Sequence, residues 1–325
     1  MDPPQPRQKF SSHVEKTLQH RRTRADRLEV PTPLVPLNWP WTCVSRTELE
    51  LPHARRPSFD LVGALPPRPR LAIVGSRAAH RRVLVTLGPI IAAAAERGWS
   101  LISGGALGID GGAHRAALGQ GVAQLAVLPC GRDRVYPPGH APLFAAMVAS
   151  GEAGLLFAHP PGTATVRAMF ASRNAIVVGL ADAVLVAQAG LRSGSTGTGR
   201  LALRQAVPLA AIAGSPGCGA LIGLGARPLP SPPYEDDPQA LASVADAVGG
   251  WLDVLQGGAE PDGGASASAW PDHLRWLEAA VREAGPQGLS IDTLPQAGAA
   301  TLAVCEAELL GLICEAAAGR WVGLG

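Results

Sequence analysis

Three glycine-rich stretches carry residue types suited to holding an anion. Gly75-Ser76-Arg77 follows the apolar run Leu71–Val74. A small turn at a strand end exposes backbone N–H groups beside a helix N-terminus, a ready anion site, and Arg77 adds a fixed positive charge. The second stretch is Ser103-Gly104-Gly105-Ala106-Leu107-Gly108-Ile109-Asp110-Gly111-Gly112-Ala113-His114. Its glycines let a phosphate approach the backbone closely. Asp110 either only caps the following helix or faces the ligand, and His114 either only packs or lines the site. The third pairs Phe170-Ala171-Ser172-Arg173-Asn174 with Ser193-Gly194-Ser195-Thr196-Gly197-Thr198-Gly199. Arg173 and Asn174 enter a helix, and Ser193 to Ser195 precede one. Phe170 either stacks on a base, a contact that tolerates any sequence, or is buried. The candidate anion-binding contacts are Gly75, Ser76, Arg77, Ser103, Gly104, Gly105, Gly108, Asp110, His114, Phe170, Arg173, Asn174, Ser193, Gly194 and Ser195, with Arg167 just upstream of Phe170.

Other chemistries lack their residues. Positions 75–80 read Gly-Ser-Arg-Ala-Ala-His, so the GxGxxG dinucleotide fingerprint is absent. No GxxxxGK[ST], HExxH or GxSxG occurs. A nucleophile with an ordered base cannot be assembled, which points to a binding protein rather than an enzyme, with no cofactor and no metal. The five cysteines (Cys43, Cys130, Cys218, Cys305, Cys314) are odd in number and form no CxxC pair, against a disulfide framework or a structural zinc.

Charge separates the chain more sharply than its net +2 implies. Residues 1–60 carry 10 basic against 7 acidic side chains, residues 61–230 carry 15 against 5, and residues 231–325 carry 3 against 14. A middle region at +10 is the footprint of a polyanion binder, while a tail at −11 repels phosphate backbones. All fifteen middle cations are arginine, the residue suited to bidentate phosphate contacts and to stacking. The only lysines in the chain are Lys9 and Lys16.

These loops need strands and helices to position them. Apolar runs predict strands at 71–74, 99–103, 124–128, 154–158, 183–187 and 208–213. Helical stretches are expected at 83–97, 109–119, 141–150, 172–179 and 195–206. Strand–helix alternation with short loops means an α/β fold, an extended Rossmann-like, doubly wound, mainly parallel sheet over 59–230. Residues 1–58, proline-rich and weakly periodic, read as a poorly ordered basic extension. Residues 231–269 read as a Pro/Gly/Ala-rich linker. Residues 270–325 read as a small, acidic, winged-helix-like domain with helices at 273–283, 291–294 and 303–313 and a strand at 320–322. The 303–313 helix carries Glu306 and Glu308 and no basic residue, so it is expected to contact protein or regulate access. No apolar run reaches the roughly 18–20 residues of a membrane span, and no signal peptide opens the sequence, so a cytoplasmic protein is expected.

The ordered set Phe59–Gly63, Ala72–Arg77, Ser103–His114, Gly131 to Tyr136-Pro137, Phe170–Asn174, Ser193–Ser195 and Leu221-Ile222 to Gly225-Ala226 resembles the DprA/Smf family of DNA-processing proteins. The resemblance covers roughly residues 59–227. It implies a dimeric Rossmann-like domain that binds single-stranded DNA, protects incoming DNA and loads the RecA recombinase in natural transformation. It also implies that Gly75, Ser76 and Arg77 lie in the DNA pocket. The chain departs from the family at Arg173-Asn174-Ala175, where a third cation is usual, and at Gln188-Ala189, where Glu-Ala is usual. The alternative is a nucleotide-binding or nucleotide phosphoribohydrolase-type Rossmann protein. That chemistry wants a carboxylate where the chain has Gly199-Arg200-Leu201.

Overall fold

In the computed structural model, residues 39–51, 54, 56–163, 166–232, 238–257, 275–284, 289–290, 304, 313–317 and 320–323 are described. Nine strands form one sheet. β1 (Trp41–Ser45) and β2 (Ser58–Gly63) pair antiparallel, and β2 runs antiparallel to β6 (Ala153–Phe157). The remaining strands, β3 (Arg70–Gly75), β4 (Ser100–Ser103), β5 (Gln124–Leu128), β7 (Ala183–Gln188), β8 (Leu209–Ile212) and β9 (Arg227–Leu229), are parallel with β6. The spatial order is β1-β2-β6-β5-β4-β3-β7-β8-β9. β3 to β8 are buried along their whole length, which is why they read as continuous apolar runs rather than alternating ones.

Helices cover both faces. The connecting helices are α1 (Arg81–Ala95), α2 (Ile109–Gly119), α3 (Ala141–Ala149), α4 (Arg167–Leu180), α5 (Gly194–Arg204) and α6 (Pro216–Ile222). On one face Ile176, Val177, Ala202 and Leu221 from α4, α5 and α6 pack against Ala72, Val74, Val127 and Val186. On the other, Leu87, Ile90 and Ile91 of α1 and Ala113 of α2 pack against Leu71, Ile73, Leu101 and Leu185. Phe144 and Met147 of α3 fill a third cluster with Leu128, Leu155 and Phe157. This is the doubly wound, mainly parallel sheet expected from the sequence. Among the described residues no helix is long and apolar enough to cross a membrane.

Two segments differ from the sequence expectation. Part of the presumed N-terminal extension is structured. β1 pairs with β2 from Trp41↔Val62 to Ser45↔Ser58, and Leu49 and Leu51 are buried in the core beneath α4. Edge strands form by pairing with a neighbour rather than by local pattern, so the prolines around β1 hid it. The presumed linker 231–269 contains an 18-residue helix, α7 (Pro238–Leu255), packed against α1. Its buried residues Val244, Val248, Trp251 and Leu252 recur at helical spacing, a stripe masked by the alanines and glycines around them. Arg97 anchors it: Nε and Nη2 donate to Asp253 Oδ1 and Oδ2 at 2.8 and 3.0 Å. That pairing commits Arg97 to holding α7 on α1.

Beyond α7, helix α8 (Arg275–Ala284) packs on a three-stranded antiparallel sheet of β10 (Leu289–Ser290), β11 (Ile313–Ala317) and β12 (Arg320–Gly323), in the order β10-β12-β11. The expected helices at 291–294 and 303–313 lie outside the described residues except for Val304 and Ile313, and Ile313 opens a strand instead.

If α7 is part of the core, Leu252→Ala lowers unfolding stability by about 2–5 kcal/mol in urea titrations. A loss below about 0.5 kcal/mol would return the segment to linker status.

Candidate nucleic-acid interface

The chain builds the sheet outward in one direction from β3 through β4 and β5 to β6, then crosses to β7 on the other side of β3. The strand order therefore reverses between β3 and β7, and an open α/β sheet forms its ligand crevice at the carboxyl ends of such a pair. Gly75 and Gln188 are register partners at that point. The Ser76 N–H donates to the Gln188 carbonyl at 2.8 Å, and Gln188 Oε1 accepts from the His80 N–H at 2.9 Å. Gln188 thus ties both ends of the Gly-Ser-Arg loop to β7. From the far side, Ser195 Oγ donates to the Gly75 carbonyl at 2.8 Å, bringing the start of α5 to the loop. Ser193 caps α5, its Oγ accepting from the Thr196 N–H at 3.2 Å. Asn174 Nδ2 donates to the Gly194 carbonyl at 3.5 Å, which links α4 to the same corner.

The second glycine stretch supports this loop from beneath. The Ile109 N–H donates to the Ser76 carbonyl at 3.1 Å. Gly108 has φ +77°, and a side chain there would strike the carbonyls of Ser76 and Arg77, so glycine is required. Asp110 lies in the first turn of α2, buried, while Gly108 holds the cap position. Burial pushes the Asp110 carboxyl up, opposed by the Arg173 guanidinium and by backbone N–H groups of Ala106 and Gly75. Arg173 Nη1 lies 3.7 Å from Asp110 Oδ2 and donates to the Val127 carbonyl at 3.4 Å. A Cβ at Gly104 would overlap that nitrogen.

The sixteen sequence candidates therefore divide. Ser76, Arg77, Phe170, Asn174, Ser193, Gly194 and Ser195 keep solvent access around the crevice mouth, and Gly108 is half-buried below it. Gly75, Ser103, Gly104, Gly105, Asp110, His114 and Arg173 are buried. The space beside Gly104, expected to admit a phosphate, is filled by the Arg173 guanidinium, and Gly105 faces Phe144 and Leu128. Ser103 Oγ donates to the Ile73 carbonyl at 2.6 Å, and His114 Nδ1 meets Gln124 Oε1 at 2.8 Å. These residues position the mouth rather than line it. Arg167 opens α4, and its side chain lies outside what is described.

At the mouth, the Arg77 guanidinium lies 4.8 Å over the Phe170 ring. Tyr136 meets the same ring edge-on, with centroids 5.2 Å apart. Tyr136 escaped the candidate set because it lies in the β5–α3 loop, outside the glycine stretches. The available signals were the stretch Gly131 to Tyr136-Pro137, already part of the resemblance, and the alternation Arg132, Arg134, Tyr136. An exposed cation beside two aromatic rings offers a place for a flat ring that carries a negative charge.

The family model for DNA recombination-mediator protein A matches residues 62–232, more than half of the chain. The chain belongs to that family. Within it, this member is 40% identical over 163 residues to a DNA processing protein DprA of Mycobacterium tuberculosis, covering 48% of this chain and 41% of the relative. It is 40% identical over 146 residues to protein Smf of Escherichia coli, covering 45% and 38%. The chain thus spans less than half the length of these two relatives. The X-ray structure of DprA from Streptococcus pneumoniae superposes with a TM-score of 0.51 at 28% identity, covering 69% of this chain and 80% of that one.

Removing one partner of the buried pair leaves the other charge uncompensated. Asp110→Ala is expected to lower unfolding stability by about 3–5 kcal/mol, and Asp110→Ala with Arg173→Met by clearly less than the sum of the single changes. Additive losses would show that the two groups do not act as a pair.

Burial depresses the His114 pKa from 6.5 to about 4. The unfolded chain then binds a proton that the folded one excludes, so this contribution is complete above pH 6.5 and is lost as pH falls toward 4. His114→Gln should flatten that acid-side loss by up to about 3 kcal/mol. Part of the slope remains, because burial lowers His140 and His159 as well. An unchanged slope in urea titrations between pH 4 and 7 would contradict the assignment.

Proposed function

We propose that this protein binds single-stranded DNA at the β3–β7 crevice, protects incoming DNA, and hands it to a RecA-type recombinase during natural transformation, acting as a cytoplasmic homodimer. The observation that carries the reading is the Arg77–Phe170–Tyr136 cluster at the crevice mouth. Stacking on an aromatic face accepts any base, and a guanidinium above that face pairs with the adjoining phosphate. Membership of a recombination-mediator family and the DNA-processing names of its relatives support the role in recombination. The arginine-only charge of the middle region supplies the sequence-independent attraction, and the −11 tail keeps the strand on this domain.

The test is fluorescence anisotropy of a labelled oligo-dT of about 60 nucleotides, titrated with wild type and Arg77→Ala at two salt concentrations. Wild type should bind with an affinity that falls steeply with salt. Arg77→Ala should bind at least about tenfold more weakly, its slope shallower by about 0.7 for each phosphate it leaves unneutralised. A RecA-type filament should assemble sooner on strand held by wild type than on strand held by the variant. No binding at low salt would sink the reading. The one-phosphate slope of a mononucleotide ligand would favour the nucleotide-binding alternative.

A further inference from the structure

A second cation–aromatic pair lies at the outer edge of the sheet. The Arg132 guanidinium sits 4.1 Å over the ring of Trp41, on edge strand β1. Trp41 retains 43% of its surface in solvent, and the Arg132 side chain retains 33%. Asp60 of β2 approaches Arg132 Nε to 3.3 Å. The pairing Cys43↔Asp60 and Trp41↔Val62 places that carboxylate on the Trp41 face of the ribbon, so it anchors the guanidinium over the indole.

The loop between β5 and α3 joins this pair to the crevice mouth. It carries Arg132 at one end and Tyr136, edge-on to Phe170, at the other. Residues 132 and 136 are four steps apart, so their Cα atoms lie within about 14 Å. The loop is also braced. The Arg134 N–H donates to the Gly131 carbonyl at 3.1 Å, and Cys130 Sγ donates to the Arg134 carbonyl at 3.4 Å. Asp133 Oδ2 accepts from the Gly162 N–H at 2.9 Å. A side chain at Gly131 would strike the Pro160 carbonyl, so the two loops are in direct contact.

We propose that Trp41 and Arg132 form a second base-stacking station for single-stranded DNA, reached from the Arg77–Phe170–Tyr136 cluster across the β5–α3 loop. The inference rests on the single-strand reading above. A strand seated at the mouth and running toward β2 and β1 meets the indole within a few nucleotides. There it stacks on the exposed ring, with Arg132 holding the ring's orientation and facing the backbone. Because Asp60 already neutralises part of the Arg132 charge, the ring supplies most of the affinity. Trp41 lies before residues 62–232, the segment matched by the family model, whereas Arg132 lies within it.

Two oligo-dT lengths separate the stations. A strand of about 6 nucleotides fills the mouth alone, and one of about 20 reaches both. Trp41→Ala should weaken binding of the longer strand by roughly 5- to 50-fold and leave the shorter within twofold. Trp41→Phe should keep most of the long-strand affinity, and Arg132→Ala should change the salt slope less than Arg77→Ala does. Matching thermal melts of the variants exclude loss of the fold as the cause. An unchanged long-strand affinity in Trp41→Ala, or an equal loss on both lengths, overturns the second station while leaving the first in place. Failure of wild type to bind either strand overturns the single-strand reading, and this inference with it.

Discussion

A carboxylate and a guanidinium buried together are expensive to desolvate, and their attraction offsets that cost only when geometry and further hydrogen bonds cooperate. Asp110 and Arg173 lie 3.7 Å apart without a direct hydrogen bond, and Arg173 Nε has no hydrogen-bond partner among the described residues, so each group leans on contacts beyond the other. Asp110 accepts from the Ala106 N–H and is stabilised by that of Gly75, while Arg173 reaches Val127 at the end of β5. One ion pair therefore joins the loop after β3, the loop after β4, the end of β5 and helix α4. The exposed Arg77 and the half-buried Phe170 sit directly on those loops and that helix. Gly104 follows from the same constraint, since any side chain there would displace the guanidinium. Replacing the pair by apolar groups would preserve volume and lose the anchoring of the Gly-Ser-Arg loop.

Above that buried layer the crevice presents a different chemistry. Hydrogen bonds from Gln188 and Ser195 fix the backbone of the loop, leaving the Arg77 side chain exposed beside an aromatic ring. Rigidity below and charge above suit a binder that stacks on bases without regard to sequence. Gln188, standing where the family usually has glutamate, still accepts the His80 N–H and removes a negative charge from the crevice.

The sheet was legible in the sequence because strands buried on both faces read as unbroken apolar runs, and glycine turns mark their ends. α7 was not, since its stripe of Val244, Val248, Trp251 and Leu252 is embedded in small residues that also suit a linker. β1 was not, because an edge strand is defined by its partner. At the site, residue types identified the right loops but not the depth of each side chain. Arg173 reads as a phosphate ligand until its surroundings show it enclosed, whereas Tyr136 and Trp41 carry no glycine motif to draw attention to them. Accessibility is a tertiary property, and a spacing rule does not encode it.

The single-strand reading seats an unpaired base at the Arg77–Phe170–Tyr136 cluster. Photocrosslinking a halogenated-uracil oligonucleotide to the full chain, followed by peptide mapping, tests it most directly. Crosslinks are expected on the peptides that carry Phe170 and Tyr136. Crosslinks confined to α7 or to the acidic C-terminal residues, with none at the crevice, would contradict it.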